Sequence, residues 1–214
     1  MAICDHMCLT PEDHLYLVGD LINKWPKSLE VVEWVRNRPN TWSVIGNHEY
    51  FSLMTRTDLE KTLSVWQDAM SVWKKDWALN QHEKSRELRE ILDAHGHIEW
   101  LQSLPTIRER ENFILVHAGL HPDFGLDTPT ELATLIRLVD SRPWYESYRG
   151  EKLVIYGHWA AEWLRVRRNT IWLDTWCCFG WALTAYCLET WEFWQVRANA
   201  VYKEPVHWRG KSEE

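Results

Sequence analysis

Glycine is scarce in this sequence. It has 9 glycines in 214 residues, beside 16 tryptophans, where ordinary usage is about 7% glycine and tryptophan is much the rarer residue. No repeat or low-complexity linker is present. Basic charge is scarce too: the formal net charge is −7, with no basic tail. A general nucleic-acid binder shows a basic face, so no direct nucleic-acid binding is expected. No apolar run approaches the ~20 residues of a membrane span. The opening MAICDHMCLTPEDH has no basic segment followed by an apolar one, so no signal peptide is expected. Cys4, Cys8, Cys177, Cys178 and Cys187 form no C-x-x-C pair, which points to free thiols in a reducing compartment. These absences predict a soluble, cytoplasmic protein.

A hydrophobic content of 45% can fill one core. One domain is expected over residues 1–208, with a frayed tail at 209–214. Short apolar runs at 14–18, 41–45, 113–116 and 152–156 read as strands. Each ends in small or polar residues: Gly19-Asp20, Gly46-Asn47-His48, His117-Ala118-Gly119 and Gly157-His158. In layered α/β architectures that edge is where ligands bind. Further strands are expected at 170–174, 182–188 and 193–197. Helices are expected at 28–36, with Ser28 as cap, and at 57–79, 81–94, 97–104 and 129–139. The polar helical stretch 51–104 reads as a cap inserted between two ligand strands.

Asp20, Asn47, His117 and His158 form a mixed carboxylate, amide and imidazole set. Such a set suits Mn, Fe or Zn better than Mg alone, because imidazole favours the later metals. His48 is expected on the opposite face of an extended segment, free to donate a proton while Asn47 ligates. Taken singly, Gly-Asp and Gly-Asn are most often turns and a strand-end histidine is most often hydrogen-bonded structure. Four in series, each after an apolar strand, favour a site.

The motifs resemble the calcineurin-like metallophosphoesterases, and among them the symmetrical dinucleoside tetraphosphatases. Gly19–Ser28 resembles G-D-x-x-x-R-G-P-x-S, Gly46–Glu49 matches G-N-H-E/D, and Val116–Leu120 matches V-H-A-G-[IL]. Gly157–Ala160 resembles G-H-W-A, and Leu173–Trp181 resembles L-D-T-G-C-C-[WF]-G-G. The resemblance runs from about residue 14 to 203. It implies an αββα sandwich holding two divalent ions about 3.5–4 Å apart, with Mn, Fe, Zn, Co or Ni as candidates. It makes Asp20 the bridging ligand, completes the second metal site with Asn47, His117 and His158, and makes His48 the acid for the leaving oxygen. Lys24 stands where the family has a phosphate-holding arginine, and Arg137 or Arg142 would be a second phosphate clamp. The implied reaction is hydrolysis of a phosphoanhydride in a dinucleoside polyphosphate. The alternatives are a protein Ser/Thr phosphatase or an inactive metal-binding remnant.

Two departures bear on that reading. The family opens on G-D-x-H-G, whose Asp and His bind the first metal, and no such motif precedes Asp20. Asp5-His6 has neither a leading apolar strand nor a following glycine. A truncated chain with only the second metal site complete is therefore expected, with low stability and little activity. Trp25, Trp176 and Trp181 stand where the family has glycine, and Trp163, Trp172 and Trp191 also read as glycine positions. Glycine there allows positive φ or close backbone approach. Six replacements of one kind point to one cause, a reassigned glycine codon read as tryptophan, with a decaying, pseudogene-like copy as the alternative.

Overall fold

The computed structural model describes residues 2–65, 72–139 and 143–204. A short helix α1 (Ala2–His6) precedes β1 (Leu15–Leu17), α2 (Ser28–Asn37) and β2 (Thr41–Ser43). Five helices follow: α3 (Asn47–Leu53), α4 (Arg56–Val65), α5 (Val72–Lys84), α6 (Arg86–Ala94) and α7 (Ile98–Gln102). Next come β3 (Ile107–Glu109), β4 (Phe113–Val116), α8 (Thr130–Val139), α9 (Trp144–Ser147) and β5 (Leu153–Tyr156). The chain then forms β6 (Arg165–Arg167), β7 (Thr170–Trp172), β8 (Ala182–Tyr186) and β9 (Phe193–Arg197).

β1 and β2 pair in parallel. A five-stranded sheet has the order β3-β4-β5-β7-β6, parallel through β4, β5 and β7 and antiparallel at both edges. β8 and β9 form an antiparallel hairpin. Side-chain alternation along the strands sorts the apolar residues into layers. From β4 and β5, Phe113, Leu115, Leu153 and Ile155 join Tyr16, Val18, Val44 and Tyr186 in a cluster between the strand layers. Their alternate neighbours Ile114, Val116, Val154 and Tyr156 pack on the other face with Ala133 of α8 and Trp144 of α9. Leu17 of β1 turns away to a third cluster with Val32 and Val35 of α2, Leu92 of α6 and Leu101 of α7. Helices thus cover both outer faces of a two-layered strand core, the αββα arrangement.

Each predicted strand run contains an observed strand, shortened by one or two residues in most cases. The edge strands β3 and β6 escape the reading because Ile-Arg-Glu and Arg-Val-Arg are three residues long and mostly charged. Ser28 is the first residue of α2 rather than its cap, and its hydroxyl accepts from Asn23 N–H at 3.1 Å. Asn47 and His48 begin helix α3, so the expected extended segment with opposed faces is replaced by a strand-to-helix turn.

The tryptophans divide by backbone. Trp176 (φ 55°) and Trp191 (φ 64°) take left-handed conformations, where an L side chain is strained and glycine is not. Trp163 and Trp191 are exposed at 60% and 74%, so they contribute little packing, whereas Trp181, 42% exposed, carries the Arg197 guanidinium over its ring at 5.6 Å. Trp172 departs from the glycine reading: it lies in β7, is 2% exposed, and packs in the cluster of Trp144, Tyr156 and Trp159.

Candidate metal centre at the strand ends

β1 and β2 in one layer and β4 and β5 in the other release their chains at the same edge, and the turns that follow carry the polar residues. Gly19 and Gly46 let two of these turns touch. A Cβ on Gly19 would lie 2.6 Å from Gly46 N, and one on Gly46 would lie 2.4 Å from both the backbone N and Oδ1 of Asp20. Asp20 (φ 59°) and His158 (φ 68°) are themselves left-handed. Strain of this kind persists only where its surroundings impose it, and it concentrates at functional sites.

The four predicted ligand side chains converge. His117 Nε2 lies 2.9 Å from Asn47 Oδ1, 3.2 Å from His158 Nδ1 and 3.4 Å from Asp20 Oδ1. His158 Nδ1 lies 2.9 Å from Asn47 Oδ1. The other imidazole nitrogen of His117, Nδ1, faces the Val18 carbonyl at 2.6 Å. A carbonyl can only accept, so Nδ1 carries a proton, which leaves Nε2 as the ring atom that would present a lone pair to an ion in the cluster. Ligand atoms about 2.0–2.2 Å from a shared ion lie about 3.0–3.5 Å apart, close to the separations seen here. Among the described residues no group of three His, Cys, Asp or Glu side chains forms a metal cage without other donors. The set depends on the amide oxygen of Asn47.

Two buried groups organise the turns. Glu49 is fully buried, and its carboxylate accepts the backbone N–H groups of Gly46 and Asp20 at 2.9 Å and of Ile22 at 3.0 Å. One side chain thereby ties the Gly-Asp turn to the start of α3. Burial and the neighbouring Asp20 push Glu49 up to about 7, against those three bonds. Lys24 Nζ lies 2.6 Å from Asp20 Oδ2. Burial opposes the lysine's charge, but Asp20 and then Asp174 favour it and raise its pKa. Burial raises the Asp20 carboxyl, yet His117 and Lys24 outweigh it and hold Asp20 well below the usual carboxylate range.

His48 is 5% exposed and donates its backbone N–H to Asp20 Oδ1 at 3.2 Å. Burial pushes its imidazole down to about 3, against the pull of Asp20. Burial, with the charge of His117, also holds His158 well below the usual range. Arg142 lies outside the described residues; Arg137 falls on α8, and its side chain is not among those described. Asp5 and His6 are exposed on α1, where His6 meets Trp194 edge to face at 5.4 Å.

Sequence reasoning missed Glu49 and Asp174 as parts of the site. Glu49 was legible only as the end of G-N-H-E, and its hydrogen bonds reach across 27 to 29 residues. Asp174 follows β7 in the L-D-T segment, and burial beside Lys24 and Asp20 raises its carboxyl.

The sequence pattern of the calcineurin-like phosphoesterase domain matches residues 3–162. The symmetrical bis(5'-nucleosyl)-tetraphosphatase of Nitrosospira multiformis is 25% identical over 88% of this chain and 87% of its own. The asymmetrical bis(5'-nucleosyl)-tetraphosphatase PrpE of a Geobacillus species is 26% identical over 80% of this chain and 74% of its own. Among solved structures, that of a provisionally named diadenosine tetraphosphatase superposes with a TM-score of 0.68 at 24% identity, covering 93% of this chain and 87% of that one. The domain match spans well over half of the residues and contains Asp20, Asn47, His117 and His158: this chain belongs to the calcineurin-like phosphoesterase family, hydrolases of phosphoester and phosphoanhydride bonds that work with divalent metal ions.

Proposed function

We propose that the chain hydrolyses a phosphoanhydride of dinucleoside polyphosphates, with diadenosine tetraphosphate as the reference substrate. The observation that carries this reading is the convergence of His117 Nε2, His158 Nδ1, Asn47 Oδ1 and Asp20 Oδ1 behind a fixed His117 tautomer. The names of the relatives support the nucleotide over a phosphoprotein as substrate. Asp20, Asn47, His117 and His158 would hold a divalent ion, with manganese the first to try. Such an ion, when bound, polarises a phosphoryl oxygen and lowers the pKa of water. The protein's own contributions follow from its side chains. The Val18 carbonyl fixes His117, and Glu49 fixes the turns that carry Asp20 and Asn47. Lys24 supplies a positive charge to the phosphate chain without the paired donors of an arginine. His48, kept neutral in the free protein by its burial, would take up a proton as the polyphosphate brings negative charge beside it and pass that proton to the leaving oxygen. One P–O bond breaks, water supplies the new one, and a symmetrical cut leaves two ADP.

The test is product analysis after the full chain is incubated with manganese and diadenosine tetraphosphate. ADP released by the wild type and lost in His117→Ala is the expected result. ATP with AMP would place the cut off centre, as in the asymmetrical relative. Release of phosphate from a phosphoserine peptide, with the dinucleotide untouched, would favour a protein phosphatase. No hydrolysis of either would overturn the proposal.

A further inference from the structure

The two carboxylate oxygens of Asp20 face different partners. Oδ1 lies on the side of His117, 3.4 Å from Nε2, and also accepts the backbone N–H of His48. Oδ2 is buried, and its close partner among the described residues is the Lys24 ammonium at 2.6 Å. Both side chains are enclosed, at 16% exposure for Lys24 and 8% for Asp20. The contact is thus shielded, unlike an exposed ion pair, whose contribution is small.

The lysine is also presented by a shaped turn. Its backbone N–H bonds to Ile22 O at 2.9 Å, and Ile22 N–H is held by Glu49. The preceding Asn23 is left-handed at φ 66°. Its backbone N–H is taken by Ser28, and its amide donates to Ser52 and Ser85. Lys24 therefore projects from a backbone tied down on both sides, toward an oxygen that would otherwise be a buried, unpaired anion. Asp174 adds a second carboxylate to its surroundings.

Resting on the metal-dependent reading above, we propose that Lys24 is the second cation of this centre. The His117, Asn47 and His158 side of Asp20 takes one divalent ion, and the ammonium fills the opposite side, so the chain binds one ion where a binuclear centre binds two. The physical reason is charge. A carboxylate oxygen already neutralised by a buried ammonium is a poor ligand for a second divalent ion, which the adjacent positive charge repels. The same ammonium has three donors. One goes to Asp20, and others remain for a phosphoryl oxygen, so the centre keeps two positive groups for a polyphosphate.

The test measures binding, independently of turnover. The full chain is loaded with manganese, dialysed, and its ion content found by elemental analysis; calorimetry gives the affinity. Lys24→Met keeps the stem and removes the charge, and Lys24→Arg keeps the charge. One ion per wild-type chain is expected. Lys24→Met should bind the first ion at least tenfold more tightly or accept a second, while Lys24→Arg stays at one ion with affinity within a few fold of wild type. Thermal melts of both variants establish that they fold; if Lys24→Met does not, the Lys24→Arg and wild-type counts still decide. Two ions on the wild-type chain, or on Lys24→Arg, would overturn the role of Lys24 and leave the proposed function standing. So would unchanged binding in a folded Lys24→Met. No ion on the wild type at any concentration would overturn both.

Discussion

Trp191 offers a clean measure of backbone strain in this chain. It sits at φ 64° in the turn between β8 and β9, its N–H bonded to Cys187 O at 2.9 Å. A left-handed backbone costs an ordinary L-residue about 1–2 kcal/mol, and glycine escapes that cost. At 74% exposure, Trp191 has only a quarter of its surface covered. For a side chain that can bury 150–250 Å², this is about 50 Å², or about 1 kcal/mol of hydrophobic contact. Trp191→Gly loses that contact, relieves the strain, and gives up about 0.5–1 kcal/mol to the greater freedom of an unfolded glycine. Those effects nearly cancel, so Trp191→Gly should match wild type. Trp191→Ala loses the same contact and keeps the strain. The glycine variant should therefore exceed the alanine variant by about 1 kcal/mol, or about 2–4 °C in Tm for a chain of this size. Urea and thermal unfolding of the pair measure the difference directly. An alanine variant more stable than the glycine one would refute the reasoning, because the strain would then be smaller than the about 0.5–1 kcal/mol that glycine's unfolded freedom costs.

Further outcomes follow from the same geometry. His117→Ala and His158→Ala should each abolish retention of manganese after dialysis, because either change opens the donor set; elemental analysis showing wild-type content would refute the assignment. Glu49→Gln sets an amide N–H₂ against backbone donors and should destabilise the fold by about 2–4 kcal/mol. It should also weaken manganese binding, seen as a fall in Tm together with reduced affinity by calorimetry. A fragment of residues 51–104 should show no cooperative melt, since Leu92 and Leu101 pack on Leu21, Ile22, Val32 and Val35 of the remaining chain; a sharp two-state transition would make the helical segment a domain of its own. Peptides from the native organism should carry glycine at 176 and 191, and mass spectra reading tryptophan at both would refute codon reassignment.

Much of the framework was legible because its signals are local. A strand such as 113–116, buried on both faces, reads as an unbroken apolar run, and Phe113–Val116 was placed to the residue. The polar residue just past each run marked the candidate site, and the motif order tied the four runs together. Short charged edge strands left no such run, so β3 and β6 went unread. Asn47-His48 continued an apolar strand in sequence, yet it folds as the first turn of α3, where Glu49 at the third helical position turns back to the Gly46 and Asp20 N–H groups.

By itself, the sequence determined which residues stand at the strand ends and that several glycine positions hold tryptophan. Only the tertiary structure decided which of those positions matter physically. Trp176 and Trp191 fall on left-handed backbone, whereas Trp172 fills ordinary strand space. Only the structure decided the partners of each donor as well. That His117 is fixed by Val18 depends on a contact between chain turns, and that Lys24 closes on Asp20 Oδ2, four residues before it, depends on how that one turn is bent. The first of these spans 99 residues; the second depends on a left-handed Asn23 that folding imposes on the chain. Local periodicity carries no record of the His117–Val18 contact, because it exists only once the two strand layers have packed and brought their ends to one edge.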